Sequence, residues 1–405
     1  MTTTDYQNAL GRKIAAERRR RGLSQPELAR MVDRSVAWVS QVERGVRKVD
    51  RMSVLEALAA ALEVPLAELA AEAPVVAAVT EEPPGAGGLR LVLSGAYALR
   101  AMLDARRSPA LSTLRTKARM AWELTHAGRY TELTELLRGL VPDLETAARA
   151  VAEDQRAEVF ELMASTHQAC SAALAELGEP EAAWIAADRA MAAAERTGNP
   201  MLVAAGAFRL VFVFINARHY GQAEETARTA AEALQPMVDQ GDPQAMSLWG
   251  GLNLQRAIVA AHVNDPDLAY SQLERVSQVA GRLGEGRNEY NTEFGPANVR
   301  LYEIAVAVEL GDAGRALRAA AAVDTSGLSA ERQARMLIDV ARAHAQRRQV
   351  GEAVAALLQA EAITLEQVRG HALVRQLVSD LLTMQDPPAA ELRDLARRLN
   401  PTDRD

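Results

Sequence analysis

Along most of the chain apolar residues recur every three or four positions, and no stretch shows convincing alternation bounded by turn residues. That pattern predicts helices throughout. From Asp5 to Arg21, Ala9, Leu10 and Ile14 share one helical face, and Gly22 stops the run. "SQPE" opens a second helix: Ser24 is placed as N-cap, Pro26 suits a first turn, and Glu27 completes a capping box. Leu28, Met31 and Val32 form its apolar face. Ser35 caps a third helix that turns Val39 and Val42 inward and ends at Gly45. A fourth runs through Val54, Leu55, Leu58 and Leu62, and "PLAEL" begins a fifth.

The pattern then breaks. "APVVAAVTEEPPGAGG" (Ala73–Gly88) is a poor helix, with paired prolines and three glycines near its end. The expected division is a head at residues 1–73, a linker at 74–88 and a helical body at 89–405. Within the body one turn signature recurs six times, each after an apolar helix. The six are "HAGRYTEL" (His126–Leu133), "ELGEPEAA" (Glu176–Ala183), "NARHYGQA" (Asn216–Ala223), "HVNDPDLA" (His262–Ala269), "ELGDAGRA" (Glu309–Ala316) and "AQRRQVGEA" (Ala345–Ala353). A final pair, "HALVRQLVSDLLTMQDPPAAELRDLARRL", reads as a cap.

Charge sharpens this division. The net charge of −7 argues against a nucleic-acid binder until its distribution is seen. Residues 1–52 carry an excess of +6, and the remainder carries −13. Only the head suits phosphates. Aromatics are 4% of the chain and alanine is abundant, which favours an all-α protein. The one cysteine, Cys170, excludes an internal disulfide and reads as a buried, inert thiol. No signal peptide is evident at the start. The most apolar run, "MLVAAGAFRLVFVFINA" (Met201–Ala217), is too short for a membrane span and is interrupted by Arg209. A cytoplasmic protein with no membrane partner is expected.

"LSQPELARMVDRSVAWVSQVERG" (Leu23–Gly45) resembles the helix-turn-helix of the lambda-repressor-like, or XRE, family over about 65 residues. The likeness lies in the "SQ-x-EL-A" second helix, the "S-x-x-x-V-S-x-V-E-R-G" third helix and the trailing "ALEVPLAEL". It implies a five-helix DNA-binding head whose third helix enters the major groove. Val36, Ala37, Ser40 and Gln41 then face bases: Gln41 is placed to pair with adenine, and Val36 and Ala37 to touch thymine methyls. The resemblance puts Gln25 on a phosphate, Arg47, Lys48 and Arg51 along the backbone or minor groove, and Arg18 against Glu43 as a structural pair. Ser35 and Trp38 complete the candidate set. Trp38 departs from the family, where a small polar residue is common, and it is expected to pack on sugar–phosphate or on the body. The face is short of arginine, so strong guanine readout is not expected. "RRRR" (Arg18–Arg21) reads either as a solvated helix end or as a phosphate contact.

The body's turns resemble a degenerate tetratricopeptide array, an α-solenoid of helix pairs. In that register the first helix of each pair lines a concave groove. The resemblance places Trp122, Gln168, Phe208, Phe212, Asn216, His262, Asn298, Tyr302, Arg335 and Arg342 there as candidate ligand contacts, with His126, Leu254 and Leu301 beside them. The aromatics are equally readable as inter-helix packing. "RNEYNTEFGPANVRLY" (Arg287–Tyr302) is polar and loop-like, and is the body's best candidate ligand loop.

The six histidines show no metal-ligand spacing, and neither a phosphate loop nor a nucleophile elbow occurs. Scattered carboxylates on alanine-rich helices read as solvated faces. No cofactor and no enzymatic activity are expected. The whole layout resembles bacterial transcriptional regulators, some of which sense quorum peptides while others control secondary metabolism or development. It implies a ligand-responsive homodimer that reads a palindromic double-stranded operator, with a peptide or small-molecule effector on the body. Two other readings stay open: a ligand-independent dimeric repressor, and an interaction scaffold with a marginal head.

Overall fold

The computed structural model describes residues 3–47, 49, 52–62, 64, 85–95, 99, 109–385 and 387–399, and the backbone only for residues 3–9, 52, 53 and 56. Every regular element among them is helical, so the chain is all-α. It divides into two compact units, Met1–Glu81 and Glu82–Asp405.

The head holds α1 (Thr3–Arg20), α2 (Gln25–Met31), α3 (Val36–Glu43) and α4 (Met52–Leu62). Leu10, Ile14, Leu28, Val39, Val42, Leu58 and Leu62 form its core. Met31 does not join them: it is 51% exposed, and Ala29 packs inward in its place. The buried stripe of this short helix is Leu28, Ala29 and Val32, so Met31 falls at its edge. Gly11 allows α1 to cross α3 closely, since a Cβ there would lie 2.4 Å from the Val42 carbonyl oxygen. The helix expected from Pro65 lies outside the described residues, as do linker residues 74–84.

The body starts within the expected linker. Helix α5 (Ala86–Val92) takes in Ala86 to Gly88 and buries Ala86 and Leu89. Gly88 serves contact rather than flexibility: a Cβ on it would meet the Thr134 methyl at 2.3 Å. Six helix pairs follow. They are α6/α7 (Leu111–His126, Tyr130–Ala150), α8/α9 (Glu153–Glu176, Pro180–Glu195) and α10/α11 (Pro200–Asn216, Tyr220–Asp239). After these come α12/α13 (Pro243–His262, Pro266–Leu283), α14/α15 (Pro296–Glu309, Ala313–Ala322) and α16/α17 (Ala330–Gln346, Val350–Ile363). The chain ends in α18 (Leu365–Gly370), α19 (Ala372–Met384) and α20 (Ala390–Leu399). Five of the helices, α9, α10, α12, α13 and α14, open with proline at the first position, where its missing N–H costs nothing.

All six turn signatures fall between the two helices of a pair, and they share one backbone solution. The second residue after each first helix is left-handed: Gly128, Gly178, Arg218, Asn264, Gly311 and Arg348, with φ between 61° and 81°. The next residue's N–H then reaches back five positions, as in Arg129 N to Leu124 O and Gln349 N to His344 O, which closes the carbonyl end of the first helix.

First helices pack on first helices, α6 on α8 and onward to α16, and α16 returns to touch α6. The return is tied by side chains. Thr131 donates its N–H and hydroxyl to Glu366 at 2.8 and 3.0 Å, and Arg335 pairs with Glu176 at 2.9 Å. Gln367 also donates to Glu176, at 3.1 Å. The array therefore closes on itself and encloses its inner face. Only the first part of Arg287–Tyr302 is loop, because α14 begins at Pro296. In that loop Phe294 is buried against Gly250, whose missing side chain makes room for the ring. No helix among the described residues is long and apolar enough to cross a membrane.

Candidate nucleic-acid interface and internal cavity

In the head, α2 and α3 are set by their caps. Ser24 Oγ accepts from the Glu27 N–H while Glu27 Oε2 accepts from the Ser24 N–H, and Ser35 Oγ accepts from the Trp38 N–H at 3.1 Å. Arg18 donates to Glu43 from Nε and Nη2, and Gln25 Nε2 donates to the same carboxylate at 2.8 Å. Burial works against the charged form of Glu43, yet these donors hold its carboxyl below the usual range. One carboxylate at the end of α3 thus fixes α1, α2 and α3 together.

This bracing leaves Ser35, Val36 and Ala37 exposed at the start of α3, with Ser40 and Gln41 half-buried on the same helix. Arg47 is exposed and reaches Gln41 Oε1 at a long 3.4 Å. Gln41 Oε1 keeps a second lone pair, so the Arg47 contact leaves both amide atoms of Gln41 able to pair with an adenine. Gln25 has committed one amide hydrogen to Glu43. Trp38 corrects the expectation: it is 8% exposed and belongs to the head core, with the Arg34 guanidinium 5.9 Å from its ring centre. Its ring is buried with Val39 and Val42 of the same helix, so it is not an exposed reader. Lys48 and Arg51 lie outside the described residues. The "RRRR" run is not uniform: Arg18 is buried on Glu43, Arg21 donates to the Ala61 carbonyl, and Arg20 pairs with Glu17.

In the body, the closed inner face holds a cavity. Helix α6 supplies Trp122 and His126, α10 supplies Phe208, Arg209 and Phe212, and α14 supplies Tyr302. Glu331, Arg332 and Arg335 enter from α16, Glu176 from α8, and Asn291 and Glu293 from the loop. The room left among these side chains is about 30 Å³, enough for about one water molecule. Of the ten expected ligand contacts, Trp122, Phe208, Phe212, Tyr302 and Arg335 meet here.

The other five do not. Asn216 is exposed at the end of α10, where the helix has left the inner face. His262 stacks on Tyr220 at 4.9 Å and lies 3.5 Å from Glu309. Arg342 is held by Glu309 at 2.6 Å and by Asp339 at 3.0 Å. Asn298 donates to the Thr292 carbonyl within the loop, and Gln168 is buried among helices. An inner helix turns only part of its length to the cavity, so the register assigned too many positions to it.

The sequence suggests solvated faces for the carboxylates, yet Glu176 and Glu331 of this lining are buried, as are Arg209 and Arg332. Arg332 lies 3.4 Å from Glu293 and 3.5 Å from Glu331. Burial pushes the Glu331 carboxyl up. Glu293 is held low despite its burial, first by Arg332, and it accepts from the Ser329 N–H and hydroxyl at 2.9 Å. Arg209 is 7% exposed and lies over Trp122 and Phe208, 4.7 and 4.8 Å from their centres. Its Nη2 donates to the Asn291 carbonyl at 2.8 Å, and burial, reinforced by Arg332, pushes it down to about 9. Its interruption of the longest apolar run was the signal for this residue. Cys170 is buried as expected, and burial pushes its thiol up to about 12.

Residues 9–71 match the model of a helix-turn-helix domain family. No curated protein matches the chain. Among solved structures, the crystal structure of Bacillus thuringiensis PlcR in complex with the peptide PapR7 and DNA is similar. The identity is 14%, over 68% of this chain and 95% of that one, at a TM-score of 0.31. With its capped α2 and α3 and their exposed edge, the head of this all-α chain is a helix-turn-helix domain, followed by a body of stacked helix pairs.

Proposed function

We propose that the protein is a transcriptional regulator whose head reads double-stranded DNA and whose body binds an effector and forms a homodimer. The observation that carries the reading is the exposed edge of α3, braced from behind by Arg18, Gln25 and Glu43. A rigid helix with small and amide side chains outward suits the major groove, and Arg47 stands beside it for the backbone. Ser35, Val36, Ala37, Ser40 and Gln41 form the base-facing set; Gln25, Arg47, Lys48 and Arg51 serve phosphates. One such head buries little DNA, so two heads on a palindrome supply the affinity. The body's cavity supports the effector reading. An effector changes DNA affinity only by as much as it prefers one body conformation over another.

The test is selection of bound sequences from a random double-stranded DNA pool by the full chain and by Gln41→Ala. A palindromic motif that loses a base preference in the variant supports the reading. No enriched motif, or one that Gln41→Ala leaves unchanged, overturns it.

A further inference from the structure

Among the described residues, Arg209 is the lining arginine without an ion pair: Arg332 sits on Glu293 and Glu331, and Arg335 sits on Glu176. Its Nε has no hydrogen-bond partner, and neither has His126 Nε2. Both groups belong to the cavity wall, flanked by Trp122, Phe208 and Phe212. A buried guanidinium held only by one backbone carbonyl and two aromatic faces is incompletely satisfied. An anion in the cavity completes it. The three carboxylates already in the lining disfavour a second negative charge, which selects a monoanion. The aromatic walls select a flat apolar partner for the rest of the molecule.

We propose that the cavity binds a small planar monocarboxylate, its carboxylate taken by Arg209 Nε and His126 Nε2 and its ring by Trp122, Phe208 and Phe212. The proposal rests on the effector reading above and narrows it. The ties from Glu176 to Arg335 and Gln367, and from Glu366 to Thr131, shut the inner face against an extended chain. The unfilled space is small, so entry requires a wall to move. The loop is the wall suited to this. Tyr290, Asn291 and Glu293 are all left-handed without being glycine, a strained state held partly by Arg209 through the Asn291 carbonyl. A carboxylate drawing Arg209 away releases that hold.

Calorimetric titration of the full chain with indole-3-carboxylate, and with its neutral analogue indole-3-carboxamide, tests the proposal without DNA. Its failure is therefore separate from failure of DNA recognition. The carboxylate is expected to bind, and the carboxamide about tenfold or more weakly. Arg209→Gln removes the difference, and Arg209→Lys, which keeps the charge, restores part of it. Melting curves of both variants establish that they fold; should Arg209→Gln not fold, His126→Phe, which removes the second donor, is read instead. Equal binding of acid and amide overturns the proposal, as does no binding of either at millimolar concentration. Full binding by a folded Arg209→Gln also overturns it, as does tighter binding of a blocked heptapeptide than of the carboxylate.

Discussion

Arg18 and Glu43 stand 25 positions apart and join α1 to α3 through two hydrogen bonds, Nε to Oε1 at 2.5 Å and Nη2 to Oε2 at 3.0 Å. The pair is bidentate, and Gln25 adds a third donor to the same carboxylate. Glu43→Gln takes away the charge that both donors face. The expected loss in the head is about 1–3 kcal/mol. Hydrogen exchange over α1–α3 in the full chain reads it as faster exchange, with weaker DNA binding beside it. Gln41→Ala, on the outer face, is expected to weaken DNA binding with no change in exchange. That contrast separates bracing from reading.

The six intra-pair turns make a second prediction. Arg218 and Arg348 hold the left-handed position that glycine holds at Gly128, Gly178 and Gly311. A side chain there costs about 1 kcal/mol relative to glycine. Arg348→Gly is therefore expected to raise the urea midpoint of the body, and Gly311→Ala to lower it by a similar amount. The wild-type slope should be kept in both, since neither changes the area exposed on unfolding.

Glu176 is the hub of the closure, accepting from Arg335 and Gln367. Glu176→Ala leaves both donors without their carboxylate. A loss of about 1–3 kcal/mol is expected, because Arg335 retains some access to water. Limited proteolysis should then cut near α18 sooner than in the wild type. Unchanged cleavage would mean that the return of α16 to α6 does not depend on these ties.

Acid should weaken the body through His167. It is buried, its Nδ1 has no partner, and burial lowers it to about 4. The folded state keeps this ring neutral while the unfolded chain takes up a proton near the ordinary histidine value, about 6.5. Stability is therefore complete above about pH 6.5 and falls as pH drops towards 4, by up to about 1.4 kcal/mol per unit. His167→Leu should flatten that part of the melting-temperature profile relative to wild type and leave the value at pH 7.5 little changed.

Much of this architecture is legible in the sequence because local rules write it. Ser24 with Glu27, Ser35, Gly22 and Gly45 mark the head's helix ends within a few residues of themselves. The body's turns show too, even where Arg218 and Arg348 replace glycine, because the flanking apolar spacing persists. The cavity was only half legible. Trp122 and Phe208 follow from register, but α16 buries a charged face, and burial of charge depends on partners far along the chain: Glu176 for Arg335, Glu293 for Arg332. The seating of Phe294 against Gly250 has no periodic trace either.

An open row of helix pairs can fray from either end, and its stability is close to a sum over neighbours. This row is joined, through Thr131 and Glu366, across 235 positions. The first pair cannot complete its surroundings until Glu366 has left the ribosome. Folding should therefore be slower than the local helical contacts alone would set. For the same reason a truncation before α18 injures the opposite end of the body, so deletions meant to map a minimal effector domain should fail at residues they never touched.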